Sequence, residues 1–206
     1  MKKILATVLA ASMMLLGTQA FAQVSVNAGY LNSTLSYQNA DPQNANGAYA
    51  GLSFNLPIAG GLAIAPGVYY SLITSKQTAS LGNLFSGSGT FTEHAINVPL
   101  YLNFGTNMAS DMRIFLFAGP TFQYGLASTV KYDANLAGIS GSTTTNNYDN
   151  ENYNRMNVYL GGGVGFQIAS LLITVGYDYG MMNQIKGDNA PKCHRSNLKL
   201  GLGFAF

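Results

Sequence analysis
The sequence contains no tryptophan, a single cysteine (Cys193), and charged side chains at only 9% of its 206 positions. Each scarcity excludes something. A water-soluble domain carries about 25% charged residues, so this chain is poorly supplied for an ordinary wet surface. One cysteine cannot build an intramolecular disulfide framework; it stays free or bonds between molecules. Beyond residue 22 no apolar run approaches the roughly 20 residues that a membrane-spanning helix requires. Charge of one sign is lacking as well. The formal net charge of +2 includes Lys2 and Lys3, which lie in a segment read below as removed; without those two, the ten basic residues fall to eight, against eight acidic ones. No basic cluster remains to hold a nucleic-acid backbone, so no nucleic-acid partner is expected.

What is present is apolar and aromatic: 48% hydrophobic residues, including 13 Tyr and 11 Phe. Disorder needs low hydrophobicity and high charge, and is excluded. The first 22 residues read as a secretory signal peptide, with Lys2 and Lys3 at its head, an apolar stretch over 4–16, and Ala20-Phe21-Ala22 as the small-x-small cleavage site. The remaining chain, 23–206, is read as one domain. An exported chain with no helix to re-enter a membrane is either a secreted soluble protein or a barrel.

Period-two alternation dominates the rest and marks strands with two unlike faces. At 198–206, Leu198, Leu200, Leu202, Phe204 and Phe206 alternate with Lys199, Gly201, Gly203 and Ala205. The same pattern runs through 171–181, 156–168, 112–130 and 94–104, and more weakly through 24–37, 48–56 and 62–74. That makes eight strands, or ten if residues 131–153 hide a hairpin. The connections 38–47, 76–92, 131–153 and 182–195 are long and rich in Asn, Ser, Gly and Thr, whereas 57–61, 105–111 and 169–170 are tight. Long and short connections in alternation, with an even strand number, predict an all-β fold: an eight-stranded antiparallel up-and-down transmembrane β-barrel with four long extracellular loops and short periplasmic turns.

Alternation alone leaves open which face is outside. A soluble barrel would bury the apolar face and show water a surface of Gly, Ser, Asn, Thr and Tyr with few charges, which is poor for solubility. The few strand charges (Arg113, Asp178, Lys199) all fall on the other, polar face. In hydrocarbon at the midplane each would cost about 2–4 kcal/mol. The expectation is therefore apolar face outward, polar face inward, with Tyr and Phe near strand ends forming interfacial girdles.

The segment Ile96-Asn97-Val98-Pro99-Leu100-Tyr101-Leu102-Asn103-Phe104, with Phe117-Ala118-Gly119-Pro120-Thr121-Phe122-Gln123-Tyr124-Gly125 after it, resembles the porin-like outer-membrane β-barrel family of the Bacteroidetes type, similar in architecture to the small OmpA and OmpX barrels. The ending Gly201-Leu202-Gly203-Phe204-Ala205-Phe206 is similar to the aromatic-ended signal, here Phe204 and Phe206, read by barrel assembly machinery. The resemblance implies an integral protein of the cell outer membrane, a monomer surrounded by outer-membrane lipids and lipopolysaccharide. It carries no catalytic residues, cofactor or metal.

Within the lumen, glycines are expected to make room for a structural polar and ionic cluster of Tyr101, Arg113, Gln123, Asp178 and Lys199, with Asp178 and Lys199 paired. His94, beside Glu93, invites a lipid-modifying reading, but lacks a recognisable serine partner motif. Cys193 and His194, with Asp188 and Lys192 nearby, do not make a tetrahedral metal set. Gly161-Gly162-Gly163-Val164-Gly165 lies inside a strand and lacks the phosphate-loop pattern. The expected function is non-enzymatic, in envelope integrity or surface-loop interaction. The alternatives are a narrow conduit for a small solute and, further off, a lipid-modifying enzyme.

Overall fold
The computed structural model describes residues 23–37, 40–81, 85–136, 139–149, 153–186 and 192–206. The signal-peptide reading of residues 1–22 and the position of Asp188 lie outside these. No helix among the described residues is long and apolar enough to cross a membrane.

Among the described residues there are nine antiparallel strands: β1 (Gln23–Tyr37), β2 (Ala40–Ala59), β3 (Leu62–Leu81), β4 (Phe85–Ala109), β5 (Met112–Leu136), β6 (Ile139–Asn146), β7 (Met156–Ile168), β8 (Leu171–Gly180) and β9 (Cys193–Ala205). Eight of them close a ring, because β4 pairs with β5, β5 also pairs with β7, and β9 pairs back onto β1. The Phe206 amide donates to the Val24 carbonyl at 2.8 Å across that seam. Below the rim, closure pairs each strand of the ring on both sides, which a sheet in hydrocarbon requires. β6 stands outside the ring and, among the described residues, pairs with the upper third of β5, Thr129 to Leu136. Residues 131–153 thus do hide a hairpin, and it adds a strand above the barrel rather than widening it.

The three tight turns and both ends of the described chain sit together at what we call the turn end. The β2–β3 turn uses Gly60 (φ 57°) and Gly61 (φ 84°), both in the left-handed region that glycine enters without strain. The β7–β8 turn places Ala169 there instead, at φ 49°.

At the opposite, rim end, the expected long loops are largely strand. β2 begins at Ala40, β3 runs to Leu81, and β4 and β5 are each 25 residues long, more than twice the 9–11 residues that cross a membrane. The physical reason for the difference is that alternation reports a contrast between two environments. Above the membrane both faces of a strand meet water, so Ser, Thr, Asn and Gly occupy both and the period disappears while the pairing continues. β7, β8 and β9 have only 13, 10 and 13 residues. The rim is therefore lopsided, with β3, β4, β5 and β6 rising as a four-stranded fin on one side.

The orientation is as the charges require. Leu202 is 60% exposed, whereas Asp178 is 2% exposed. Leu198, Leu200, Leu202, Phe204 and Phe206 all point out of the barrel. Outward tyrosines (Tyr30, Tyr70, Tyr124, Tyr177, Tyr179) lie toward the rim. Phe104, Phe204 and Phe206 lie toward the turns, the last two packed edge to face at 5.1 Å.

One irregularity controls the fin. Opposite His94 and Ala95, strand β5 carries an extra residue: Ala95 faces Gly125 and His94 faces Ala127, leaving Leu126 without a partner. This β-bulge resets the alternation. Gly125 points inward, Leu126 is exposed, and Ser128 is again fully buried on the lumen side.

Candidate functional site
The lumen is filled in tiers. Near the turns, Asn103 donates to Asn55 at 3.2 Å. Arg113 donates to the Gly61 carbonyl at 3.4 Å, its guanidinium 5.7 Å from the Phe115 ring centre. Arg113 is thus lumenal but sits at the mouth, apart from the other charges with which the sequence grouped it.

The next tier holds Asp178 on β8 and Lys199 on β9. Their backbones are diagonal neighbours, since Gly176 faces Lys199 and Asp178 faces Asn197. The Lys199 ammonium lies 2.6 Å from the Asp178 carboxylate and donates to the Tyr101 hydroxyl at 2.8 Å. That hydroxyl also meets Thr121 Oγ1 at 3.0 Å. Glycine makes this possible: a Cβ on Gly161 would collide with the Asp178 carboxylate, and one on Gly176 would meet the Phe117 ring at 3.0 Å. Above it, Tyr159 donates to Gln123 at 3.0 Å, Gln123 to Asn97 at 3.0 Å and Asn97 to Ser71 at 2.8 Å. Gln123 therefore belongs to a neutral chain that links four strands, a tier away from the Asp178–Lys199 pair.

The third charged group was not found from sequence. Glu93 on β4 and Arg195 on β9 form a bidentate ion pair, with Nη1 on Oε1 and Nη2 on Oε2, the latter at 3.0 Å. Both side chains are almost fully buried, at 2% and 3% exposure. In the ring, β4 and β9 are four strands apart in either direction, so the pair bolts the barrel across its diameter. Lys199 to Tyr101 is a second bolt between the same two strands. The signal was present: Cys193, Arg195, Asn197 and Lys199 continue the inward stripe of β9 at period two. It was hidden because 182–195 reads as loop and Glu93 as a neighbour of His94.

Over the bolt sits Tyr148, in the 3₁₀ turn Asn147–Asp149, buried where a Cβ on Gly125 would overlap its hydroxyl. Arg155 lies 5.1 Å from that ring centre and donates to the Tyr148 carbonyl at 2.9 Å. Tyr153 packs beside it at 5.7 Å. Burial pushes the Tyr153 phenol up to about 12, against the lowering effect of Arg195 and with Glu93 adding to the rise. It remains a neutral phenol at ordinary pH. A layer of Leu31, Ala45 and Ile73 packs inside the wall nearby. These groups separate a lower cavity of about 140 Å³ from an upper cleft of about 300 Å³.

Cys193 is free and buried, on the inward stripe of β9 next to Tyr37. A bond between molecules would require the rim to open. Maleimide should label it only after denaturation; rapid labelling of the folded barrel would contradict this placement. Both histidines face outward. His94 Nδ1 bonds the Tyr70 hydroxyl, and His194 stacks on Tyr179 at 5.8 Å with Nδ1 3.1 Å from the Gly180 carbonyl. They extend the tyrosine girdle.

The family described as outer membrane protein beta-barrel domain matches residues 17–186. No curated protein matches the chain. Among solved structures, it is similar to the attachment invasion locus protein Ail of Yersinia pestis (16% identity, 90% of this chain and 99% of that one, TM-score 0.42). It is also similar to Neisserial surface protein A (16% identity, 89% and 97%, TM-score 0.48) and to the outer membrane enzyme PagL (11% identity, 88% and 98%, TM-score 0.48). Identities this low concern the fold alone.

Proposed function
Because this chain belongs to the outer membrane protein β-barrel domain family, we propose that it serves the outer membrane as a closed, non-enzymatic scaffold that braces the envelope and presents its rim to the cell's surroundings. The turn end then faces the periplasm and the rim faces outward, as in outer-membrane barrels generally. Outer-membrane lipids and lipopolysaccharide contact the apolar band, the aromatic end at Phe204 and Phe206 serves recognition by assembly machinery, and the barrel acts as a monomer.

The observation that carries this reading is the Glu93–Arg195 bolt, which occupies the lumen's width with two groups that water does not reach. A conduit would need that pair to part, at the cost of leaving two charges unpaired in a dry interior. The lower cavity of about 140 Å³ favours a second reading, a narrow path for a small solute. Planar-bilayer recording separates the two: the scaffold reading expects no discrete openings, and reproducible openings would replace it with the conduit. Lys199→Met should leave the bilayer silent while lowering the free energy of unfolding by about 1–3 kcal/mol, since Asp178 loses its charged partner but the lower lumen remains partly wet. The lipid-modifying alternative is tested with purified barrel and lipopolysaccharide, His94→Ala as control; acyl release that depends on His94 would overturn the non-enzymatic reading.

A further inference from the structure
The fin's inner face and the β1–β2 hairpin enclose the upper cleft of about 300 Å³, at the small end of ligand pockets. Four aromatic rings line it: Tyr37, Phe91, Tyr132 and Tyr153. Tyr132 is 55% exposed although its strand is paired on both sides, and it stands opposite Gly89, where a Cβ would make an ordinary contact with its ring at 3.7 Å and a longer side chain would cover it. The glycine leaves the ring a free face over the cleft.

Charge is nearly absent from this wall. Among the described residues Arg195 is the charged one lining the cleft, and Glu93 neutralises it through both oxygens. Lys76 and Lys131 are kept outside by the alternation: Lys76 faces Thr90, Thr90 faces Lys131, and the neighbouring Gln77 and Tyr132 take the inner side. At the mouth, Gln43 on β2 and Gln77 on β3 present exposed side-chain amides with no hydrogen bond among the described residues.

Rings, free amides and no net charge together specify a ligand. Among the described residues lining the cleft, a phosphate or carboxylate would find no unpaired cation to meet it. A purely apolar guest would leave the amides without use. A neutral pyranose has what the cleft needs: an axial C–H face to lie on a tyrosine ring, and hydroxyls around its edge that both donate to and accept from an amide. Tyrosine offers that contact at low entropic cost. We propose that the rim cleft binds a neutral sugar unit of a surface glycan, with Tyr132 as platform and Gln43 and Gln77 as hydrogen-bonding edges. The proposal rests on the reading of the rim as the outward-facing, working part of the barrel.

The test uses the full mature barrel in a detergent without a sugar headgroup, so that the detergent does not compete. Saturation-transfer NMR is recorded with maltose, cellobiose, lactose and N,N′-diacetylchitobiose, alongside glucuronic acid and glucosamine as charged probes. Binding of at least one neutral disaccharide is expected, weakened about tenfold by Tyr132→Ala and weakened also by Gln77→Ala. Lys131→Ala, on the outer face of the same strand, should leave it unchanged. Saccharide released from the lipopolysaccharide of the producing cells, run beside the disaccharides, distinguishes a self-glycan from a foreign one. Absence of any neutral-sugar signal, preference for the charged probes, or full binding by a folded Tyr132→Ala variant would overturn the proposal. None of these results bears on bilayer conductance, so the cleft and the closed lumen stand or fall separately.

Discussion
Glu93→Ala should lower the barrel's free energy of unfolding by about 3–5 kcal/mol, the loss expected when one member of a buried ion pair is removed and the other is left uncompensated. Chemical denaturation followed by far-ultraviolet circular dichroism measures it directly, the lack of tryptophan ruling out the usual fluorescence probe. Arg195→Met alone should cost as much, because it strands the Glu93 carboxylate, 2% exposed, in the same dry layer. The double variant Glu93→Leu with Arg195→Met is the informative one. Removing both charges removes the desolvation cost together with the attraction, so stability should return to near the original value or exceed it. If each single change were nearly silent, water would have to reach the pair, and the bolt across β4 and β9 would not close the lumen.

Leu200→Arg should cost about 2–4 kcal/mol in lipid, the penalty for a cation near the middle of a barrel's outer face. Leu200 lies between the His194 end of β9, where the tyrosine girdle begins, and the aromatic turn end at Phe206. The neighbouring Lys199 already carries a cation one residue away at no such cost, because it turns inward to Asp178. Refolding into vesicles followed by reversible unfolding gives the number. A neutral outcome at position 200 would mean that this face does not lie in hydrocarbon.

The membrane-crossing half of the fold was readable because each strand there separates oil from a polar interior, and that contrast is written at period two. Strand β7 was located to the residue at both ends for this reason. Asp178 and Lys199 were legible as partners because two charges on one polar stripe, on consecutive strands, have few other places to go. The rim was not legible. Where both faces are wet, no pattern distinguishes strand from loop, so β6 and the upper parts of β3, β4 and β5 passed for solvated connections. The Glu93–Arg195 pair was missed for a related reason. Its partners are 102 residues apart and meet only once the ring closes. Arg113 was grouped with the lumen charges correctly as to face but not as to height, a coordinate that alternation does not encode.

The unpaired Leu126 in β5 has a consequence for how this rim can change over time. Facing in a strand depends on odd or even position, and the bulge absorbs one residue of that count, so the residues beyond it keep their side while the count from Ser128 upward is preserved. Loss of Leu126 or Ala127 would leave one residue opposite His94 and restore a plain ladder, with Ser128 still facing Glu93, Lys131 outside and Tyr132 inside. Loss of one residue between Ser128 and Lys131 would instead turn Lys131 inward and swing Tyr132 outward, exchanging the two surfaces of the fin in a single step. Insertions or deletions of two residues would merely lengthen or shorten it. Beyond the bulge, variation should therefore come in even increments, whereas the bulge itself can lose its extra residue without exchanging the faces.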